Sequence, residues 1–582
     1  MLLSCGQMKK LINDPNRVVE EMVEGLVTIY PGLARLDGYQ VLLRADFRQV
    51  RDNQVAVISG GGSGHEPAHG GFVGSGMLSA AVAGQVFTSP SPDSVFAAIS
   101  AVAGARGALL IVKNYTGDRL NFGLAAEMAH AQRIPVEIVI VADDVALAAT
   151  TEHAGARGIA GTVFVHKIAG AAAAEGKPLA EVAALAEGAA ESVASMGVSL
   201  SSGIVPAVAK PSFTLAEDEV ELGLGIHGEP GVRRVALRSA DRIVEELLEP
   251  ILSAHRAHAA SRVALLINNL GSTTFMELAI IARHATSILA ARGFKVERVY
   301  AGTFMSSLEM AGVSLSVLRL DDERLRLLDA PTFAPAWPVA FPQPRIPISE
   351  RIVAVPNSAV PSASRRPETP FGKATQDAIE SACSALILAE ERLTELDRIV
   401  GDGDLGLNMS RAARAVKQAL PTYPLDDPSA AFKALARSLR QHLGGSSGPL
   451  YGILFLRAAT ALEDCAVDAA DAWADAAIDA CEAVSKLGGA EAGDRTMLDA
   501  LIPFATTLRM EIGQAHSIHQ ALRAAVEAAE TGAEATANLH PRRGRSSYIG
   551  SRALGTPDPG AIAAGIWLRA VEASLTHGLP SS

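Results

Sequence analysis

The densest cluster of chemically useful residues is Ser59-Gly60-Gly61-Gly62-Ser63-Gly64-His65-Glu66-Pro67-Ala68-His69-Gly70-Gly71. Glycines let a backbone approach a small polar ligand closely, and His65 can donate or accept a proton. A histidine in such a turn can equally do no more than satisfy backbone carbonyls. A second stretch, Lys113-Asn114-Tyr115-Thr116-Gly117-Asp118, supplies a cation and a carboxylate. Asp118 and His65 could pair as general acid and base. A third, Gly223-Leu224-Gly225-Ile226-His227-Gly228-Glu229, surrounds His227 with glycines that leave its ring accessible. A neutral imidazole is a competent nucleophile toward a carbonyl carbon, although by itself this stretch also reads as a surface histidine in a turn.

A fourth group comprises Asp397 and the loop Gly401-Asp402-Gly403-Asp404-Leu405-Gly406. Segments 223–228 and 401–406 both fit Gly-x-Gly-x-x-Gly. In the first, Glu229-Pro230-Gly231 stops a helix from following; in the second, bare carboxylates would repel a pyrophosphate. No Gly-x-x-x-x-Gly-Lys-Ser/Thr loop is present, so an ordinary P-loop kinase is not expected. Three hard oxygen donors on a flexible turn suit Mg²⁺ bridging to phosphate oxygens. An EF-hand fails because its twelfth position would be Ala413. The bland alternative is that one or two of these aspartates cap the next helix.

These loops need elements to hold them. Apolar runs at 55–59, 108–112, 136–141 and 163–166 read as buried strands, with helices over 122–132 and 179–196 between them. That alternation predicts an α/β region with a largely parallel sheet, whose strand-end loops carry His65 and Asp118. A second α/β unit begins near Gly197, with strands at 263–268 and 296–301. The expected boundaries are an α/β module over 8–345, with subdomains 8–196 and 197–345, and a Pro/Ser-rich linker over 346–370. The Ala/Leu-rich remainder, 371–582, has helical periodicity broken by Gly-rich loops and predicts an all-helical, barrel-like domain. Its loops at 444–449, 488–489, 493–497, 545–548 and 556–560 bring glycines and hydroxyls to helix ends, where anions bind.

The 582 residues carry a formal net charge of −12, with 49% hydrophobic and 20% charged residues. An acidic chain without a basic block is a poor partner for nucleic acid or an anionic membrane. No membrane span is expected. Four cysteines without metal-like spacing fit a reduced, cytoplasmic setting.

Together the segments resemble the dihydroxyacetone kinase family, in the arrangement that fuses ketose-binding and ATP-binding modules in one chain. The resemblance runs from about Lys9 to about Ser574. It implies that Gly62, Ser63, Gly64, His65, Lys113 and Asp118 bind the substrate. It further implies that His65 and Asp118 are catalytic, and that His227 bonds to the ketone carbon as a hemiaminal. Asp397, Asp402 and Asp404 would be the metal triad. The implied nucleotide contacts are Asp402, Gly403, Asp404, Leu405, Ser446, Ser447, Gly488, Thr496, Met497, Asp558, Pro559 and Gly560. The implied activity is ATP-dependent phosphorylation of a small ketose with Mg²⁺, by a homodimer. Relatives in this family usually carry Cys or His where Leu405 stands and often Thr where Leu407 stands, changes that spare the metal ligands and could reshape the phosphate pocket. The family also contains kinases of erythrulose and of glyceraldehyde, and cyclases releasing cyclic FMN from FAD. A ketose-binding regulator with little kinase activity is the reading from another class.

Overall fold

The apolar run before the first glycine loop forms a strand buried along its whole length, Ala56–Ser63, inside one of two six-stranded sheets. The computed structural model describes residues 10–147, 156–206, 208, 211, 213–227, 231–254, 261–338, 367–401, 403–444, 446–514, 516–543, 545–548 and 550–578. The chain divides into two units, Met1–Arg351 and Ile352–Ser582.

In the first unit, one sheet contains β1 (Leu33–Arg35), β2 (Val41–Arg44), β3 (Ala56–Ser63), β4 (Ala80–Val86), β5 (Ala108–Lys113) and β6 (Val136–Val141). Their order is β1-β2-β4-β3-β5-β6. The pairings of β3 with β4 and β5, and of β5 with β6, are parallel, so the loops after β3 and β5 leave the same edge. The other sheet contains β7 (Val193–Ser199), β8 (Glu219–Leu222), β9 (Arg233–Ala236), β10 (Arg262–Asn269), β11 (Lys295–Gly302) and β12 (Gly312–Leu320), ordered β11-β10-β12-β7-β8-β9. Here only β10 and β11 run parallel, so the expectation of a largely parallel sheet fails for this half.

Two further expectations are corrected. Residues 163–166 are not a strand but the first turn of the helix Thr162–Ala174. Twelve of its residues, Thr162 through Ala173, are buried. A helix buried all round loses its amphipathic period and cannot be told from a buried strand by pattern. The helix expected over 179–196 ends at Ala190, and the chain turns into β7. Val193–Ser199 is buried at every position, the signature of an interior strand. One hydrophobic core joins the helix Thr162–Ala174 to residues of both sheets, including Val57, Leu109, Ala264, Leu266 and Leu318.

The second unit is all-helical among the described residues. Helices Pro370–Leu388, Leu405–Ala419, Pro428–His442, Ser447–Ala461, Ala470–Gly488, Leu498–Gly513, Ile518–Ala535 and Pro559–Gly578 each pack on the next, and the last packs back on the first. The ring closes into a barrel, with Glu390–Val400 laid against Leu405–Ala419 and Pro559–Gly578. Short connections make the neighbours from Leu405–Ala419 through Ile518–Ala535 antiparallel, and Arg495, just before Leu498, donates to Thr556 O, just before Pro559. The N-termini at Leu405, Ser447, Leu498 and Pro559 therefore gather at one end. No helix among the described residues is long and apolar enough to cross a membrane.

Candidate active site

The turn after β3 is built on close approaches. A side chain at Gly62 would collide with the backbone of Phe87 and Thr88 at 2.5–2.7 Å. Gly64 has φ +100, and a Cβ there would meet the Phe87 ring at 2.8 Å. His65 is thereby seated, fully buried, stacked on Phe87 with ring centroids 5.1 Å apart. Ser63 spends its hydroxyl on the Gly84 carbonyl at 2.7 Å, and so anchors the strand end.

The structure brings the expected histidines together. The His65 and His227 rings lie 4.8 Å apart at 69°, and His227 also meets Phe87 at 5.4 Å and Tyr115 at 4.6 Å. His65 Nδ1 faces the Ser306 carbonyl at 2.9 Å. A carbonyl only accepts, so Nδ1 carries the proton and Nε2 carries the lone pair. That Nε2 is buried and has no hydrogen-bond partner among the described residues. Burial pushes the imidazole well below its ordinary pKa, and His227 and Lys113 push the same way. His65 therefore stays neutral, with a base nitrogen held free.

Asp118 sits in the first turn of the helix Thr116–Ala131, nearly buried, and accepts a short hydrogen bond from Ser89 Oγ. Its other oxygen lies 3.6 Å from Lys113 Nζ. Lys113 is itself fully enclosed, donating to Gly60 O at 3.3 Å and to His69 Nε2 at 3.0 Å. Burial lowers its pKa, opposed by Asp118. Behind it, the His69 and His166 rings are 5.1 Å apart. Burial and the Lys113 charge hold His166 down to about 3. These neutral imidazoles leave Asp118 as the counter-charge for Lys113. His69 was quoted in the first motif without a role, and His166 lies in the mis-assigned strand.

Another segment escaped the sequence reading. The turn between β11 and β12 reaches both histidine loops: Ser306 receives His65, and Ser307 Oγ donates to Ile226 O at 2.6 Å. Asn268 at the end of β10 holds that turn, accepting from Phe304 N and Met305 N at 2.9 Å each and donating to Met305 O at 2.8 Å. The available signal was polar residues at or shortly after a strand end, Asn268-Asn269 and Ser306-Ser307, where α/β proteins place ligands. The foot of the His227 loop is held by Arg157, which is paired with Asp144 and donates to Gly223 O at 2.7 Å.

In the helical unit, Asp397 is nearly buried and its Oδ2 accepts from Asp404 N at 2.9 Å and Leu405 N at 3.1 Å. It thus caps the helix Leu405–Ala419, which is the bland role foreseen for one aspartate. Asp404 is exposed and makes no side-chain cap bond. Asp402 lies outside the described residues. A nearly buried carboxylate with one uncommitted oxygen, next to an exposed carboxylate at a helix N-terminus, is a donor set that fits Mg²⁺ with phosphate. The other expected residues gather at the same end. A Cβ at Gly444, just before Ser446 and Ser447, would meet Asn408 and Arg411, and one at Gly488 would meet Leu450. Thr496 and Met497 precede Leu498, and a Cβ at Gly560 would lie 4.0 Å from Met497 Cβ. Asp558, part-buried, accepts from Ala561 N at 2.9 Å, and desolvation pushes its carboxyl up to about 6. Arg495, fully buried, ties these loops by donating to Ala553 O and Thr556 O.

Comparison with known proteins follows the same division. A Dak1 domain matches residues 24–336 and a DAK2 domain matches residues 399–573. The dihydroxyacetone kinase from C. freundii, solved in complex with AMP-PNP and Mg²⁺, is 37% identical, with a TM-score of 0.60, covering 97% of this chain and 99% of that one. The chain belongs to the dihydroxyacetone kinase family. Its relatives in that family include a putative 3,4-dihydroxy-2-butanone kinase from Solanum lycopersicum, 48% identical over 580 residues, covering 97% of this chain and 98% of that protein. A triokinase/FMN cyclase from Homo sapiens is 45% identical over 574 residues, covering 97% and 98%.

Proposed function

We propose that this member of the dihydroxyacetone kinase family is an ATP-dependent kinase that phosphorylates a terminal hydroxyl of dihydroxyacetone, held as a hemiaminal on His227. The observation that carries the reading is the meeting of His65, His227 and the buried Lys113–Asp118 pair on loops from both sheets. A neutral ring nitrogen of His227 adds to C2, the carbonyl oxygen gains a proton, and the ring loses one, leaving a neutral adduct. Glycerol offers no electrophilic carbon and is not held. The free lone pair of His65 Nε2 accepts from a substrate hydroxyl. Asp118, 3.6 Å from Lys113 Nζ, takes the proton from the terminal hydroxyl as it attacks the γ-phosphate of ATP.

On the helical unit, Asp397, Asp402 and Asp404 would hold Mg²⁺, which when bound offsets the negative charge of the phosphates. Ser446, Ser447, Gly488, Thr496, Met497, Asp558, Pro559 and Gly560 offer backbone and hydroxyl donors around the nucleotide. Four converging helix N-termini add positive potential there. The division into a ketose module and an ATP module is part of the proposal. So is a homodimer, supported by the edge strand β6, where Ile138 and Ile140 are exposed beside Leu120 and Leu124. Light scattering tests that pairing.

The activity is tested by coupled ADP release with dihydroxyacetone, erythrulose, glyceraldehyde and glycerol. Turnover with dihydroxyacetone and none with glycerol is expected. A preference for erythrulose would move the substrate to a four-carbon ketose, and ketose binding without turnover would favour the regulator.

A further inference from the structure

The stretch leading to His227 has little stiffness of its own, because glycines stand at 223 and 225. A nucleophile on such a loop needs tethers from outside. Arg157 fixes its foot at Gly223, four residues before the imidazole. A second tether, nearer the ring, is Ser307. Its side chain is fully buried, and its hydroxyl donates to Ile226 O at 2.6 Å. That oxygen belongs to the peptide plane whose nitrogen bears His227, so fixing it fixes the plane from which the side chain springs.

The same turn grips the other histidine. Ser306 N donates to His65 O at 3.1 Å, Leu308 N donates to Gly64 O at 2.7 Å, and His65 Nδ1 donates to Ser306 O. Leu308 adopts φ +56, a left-handed conformation unfavourable for a residue with a Cβ, which persists only where surroundings enforce it. The bonds of Ser307 N to Leu270 O and of Leu308 N to Gly64 O, 2.7 Å each, hold it there, and Asn268 fixes the start of the turn through Phe304 and Met305. One turn from the second sheet thus holds two loops far apart in sequence.

We infer that Ser307 is a positioning residue for the nucleophile: through Ile226 it sets His227 at the spacing from His65 that a ketose carbonyl requires. This rests on the ketose-kinase reading. Displacing a reacting group by about 1 Å can lower rates ~100-fold, so a lost tether should be visible in the chemistry before it is visible in the fold.

The test compares the full chain with Ser307→Ala, Ser307→Thr and Ser316→Ala. Ser316 is an equally buried serine whose hydroxyl pairs with Ser195 inside the second sheet. Two readouts are needed: the fraction of C2-labelled dihydroxyacetone converted from ketone to adduct, by carbon-13 NMR, and kcat and KM for ketose and for ATP. Ser307→Ala is expected to lower adduct occupancy and to reduce kcat/KM for ketose about tenfold or more, with KM for ATP unchanged. Ser307→Thr keeps the hydroxyl and should recover most of the loss, while Ser316→Ala should match the wild type. A wild-type adduct that Ser307→Ala matches, or an equal loss in Ser316→Ala, overturns the inference alone. Absence of both adduct and turnover in the wild type overturns the ketose reading and this inference with it.

Discussion

Ser307 and Asn268 stand in one hydrogen-bonded relay, in which Asn268 pins the backbone just before the serine and Ser307 pins the peptide before His227. The Asn268 amide serves three backbone groups of Phe304 and Met305. Asn268→Ala leaves buried N–H groups without partners and should destabilise the first unit by about 3 kcal/mol. Urea unfolding followed by a probe in that unit measures it. A loss below about 1 kcal/mol would mean the turn finds other partners.

The two described aspartates of the metal loop should separate by mutation. Asp404→Asn removes an exposed carboxylate that caps nothing, so turnover should drop by orders of magnitude and the Mg²⁺ requirement should rise, with Tm unchanged. Asp397→Ala should lose activity and, because Asp397 accepts from Asp404 N and Leu405 N, about 1–2 kcal/mol of stability as well. Wild-type activity of Asp404→Asn at limiting Mg²⁺ would remove it from the metal set.

Acid should unfold the first unit partly through His166. Its pKa is about 3 when folded, against an ordinary value near 6.5 in the unfolded chain. The unfolded state therefore binds the extra proton, and this contribution to stability is full above about pH 6.5 and falls as pH drops toward 3. The slope is about 1.4 kcal/mol per pH unit for one group. His166→Phe cannot titrate, so its stability should fall less than wild type between pH 7.5 and 5.5. Equal losses would show that His166 is solvated or paired in the folded protein.

Much of this was legible in the chain. Glycine loops directly after apolar strands located His65, Lys113 and Asp118, because small residues at a strand end have few structural uses. The helical periodicity after Phe371 located the barrel. What was not legible came from burial and from distance. Thr162–Ala174 has no polar face to betray a helix, and Val193 follows an alanine-rich helix with no glycine or proline between them. Ser307 contacts Ile226 across 81 residues of sequence, and no local pattern encodes such a contact. The cap role of Asp397 was foreseen only as an alternative, since a carboxylate near a helix start can serve a metal, a cap, or both.

The division of labour can be tested on fragments. The helical piece should begin at residue 367 instead of 371, because Thr369 caps Gly372 N and Asp426 accepts from Glu368 N and Thr369 N. Residues 1–345 should bind ketose, residues 367–582 should bind Mg-ATP, and neither should phosphorylate alone. Mixing should restore some activity, limited by the lost effective concentration. Ketose-dependent ADP release by either piece alone would relocate the active site.

Covalent holding of the ketose by His227 while its terminal hydroxyl is phosphorylated is open to a direct test. The most direct measurement is carbon-13 NMR of C2-labelled dihydroxyacetone bound to the full chain and to His227→Ala, with ADP release measured on the same samples. The wild type should convert the ketone signal to that of a tetrahedral carbon and turn over. His227→Ala should show no adduct, much weaker ketose binding, and unchanged ATP binding. A tetrahedral signal that persists in His227→Ala, or full turnover without one, would contradict covalent holding by His227.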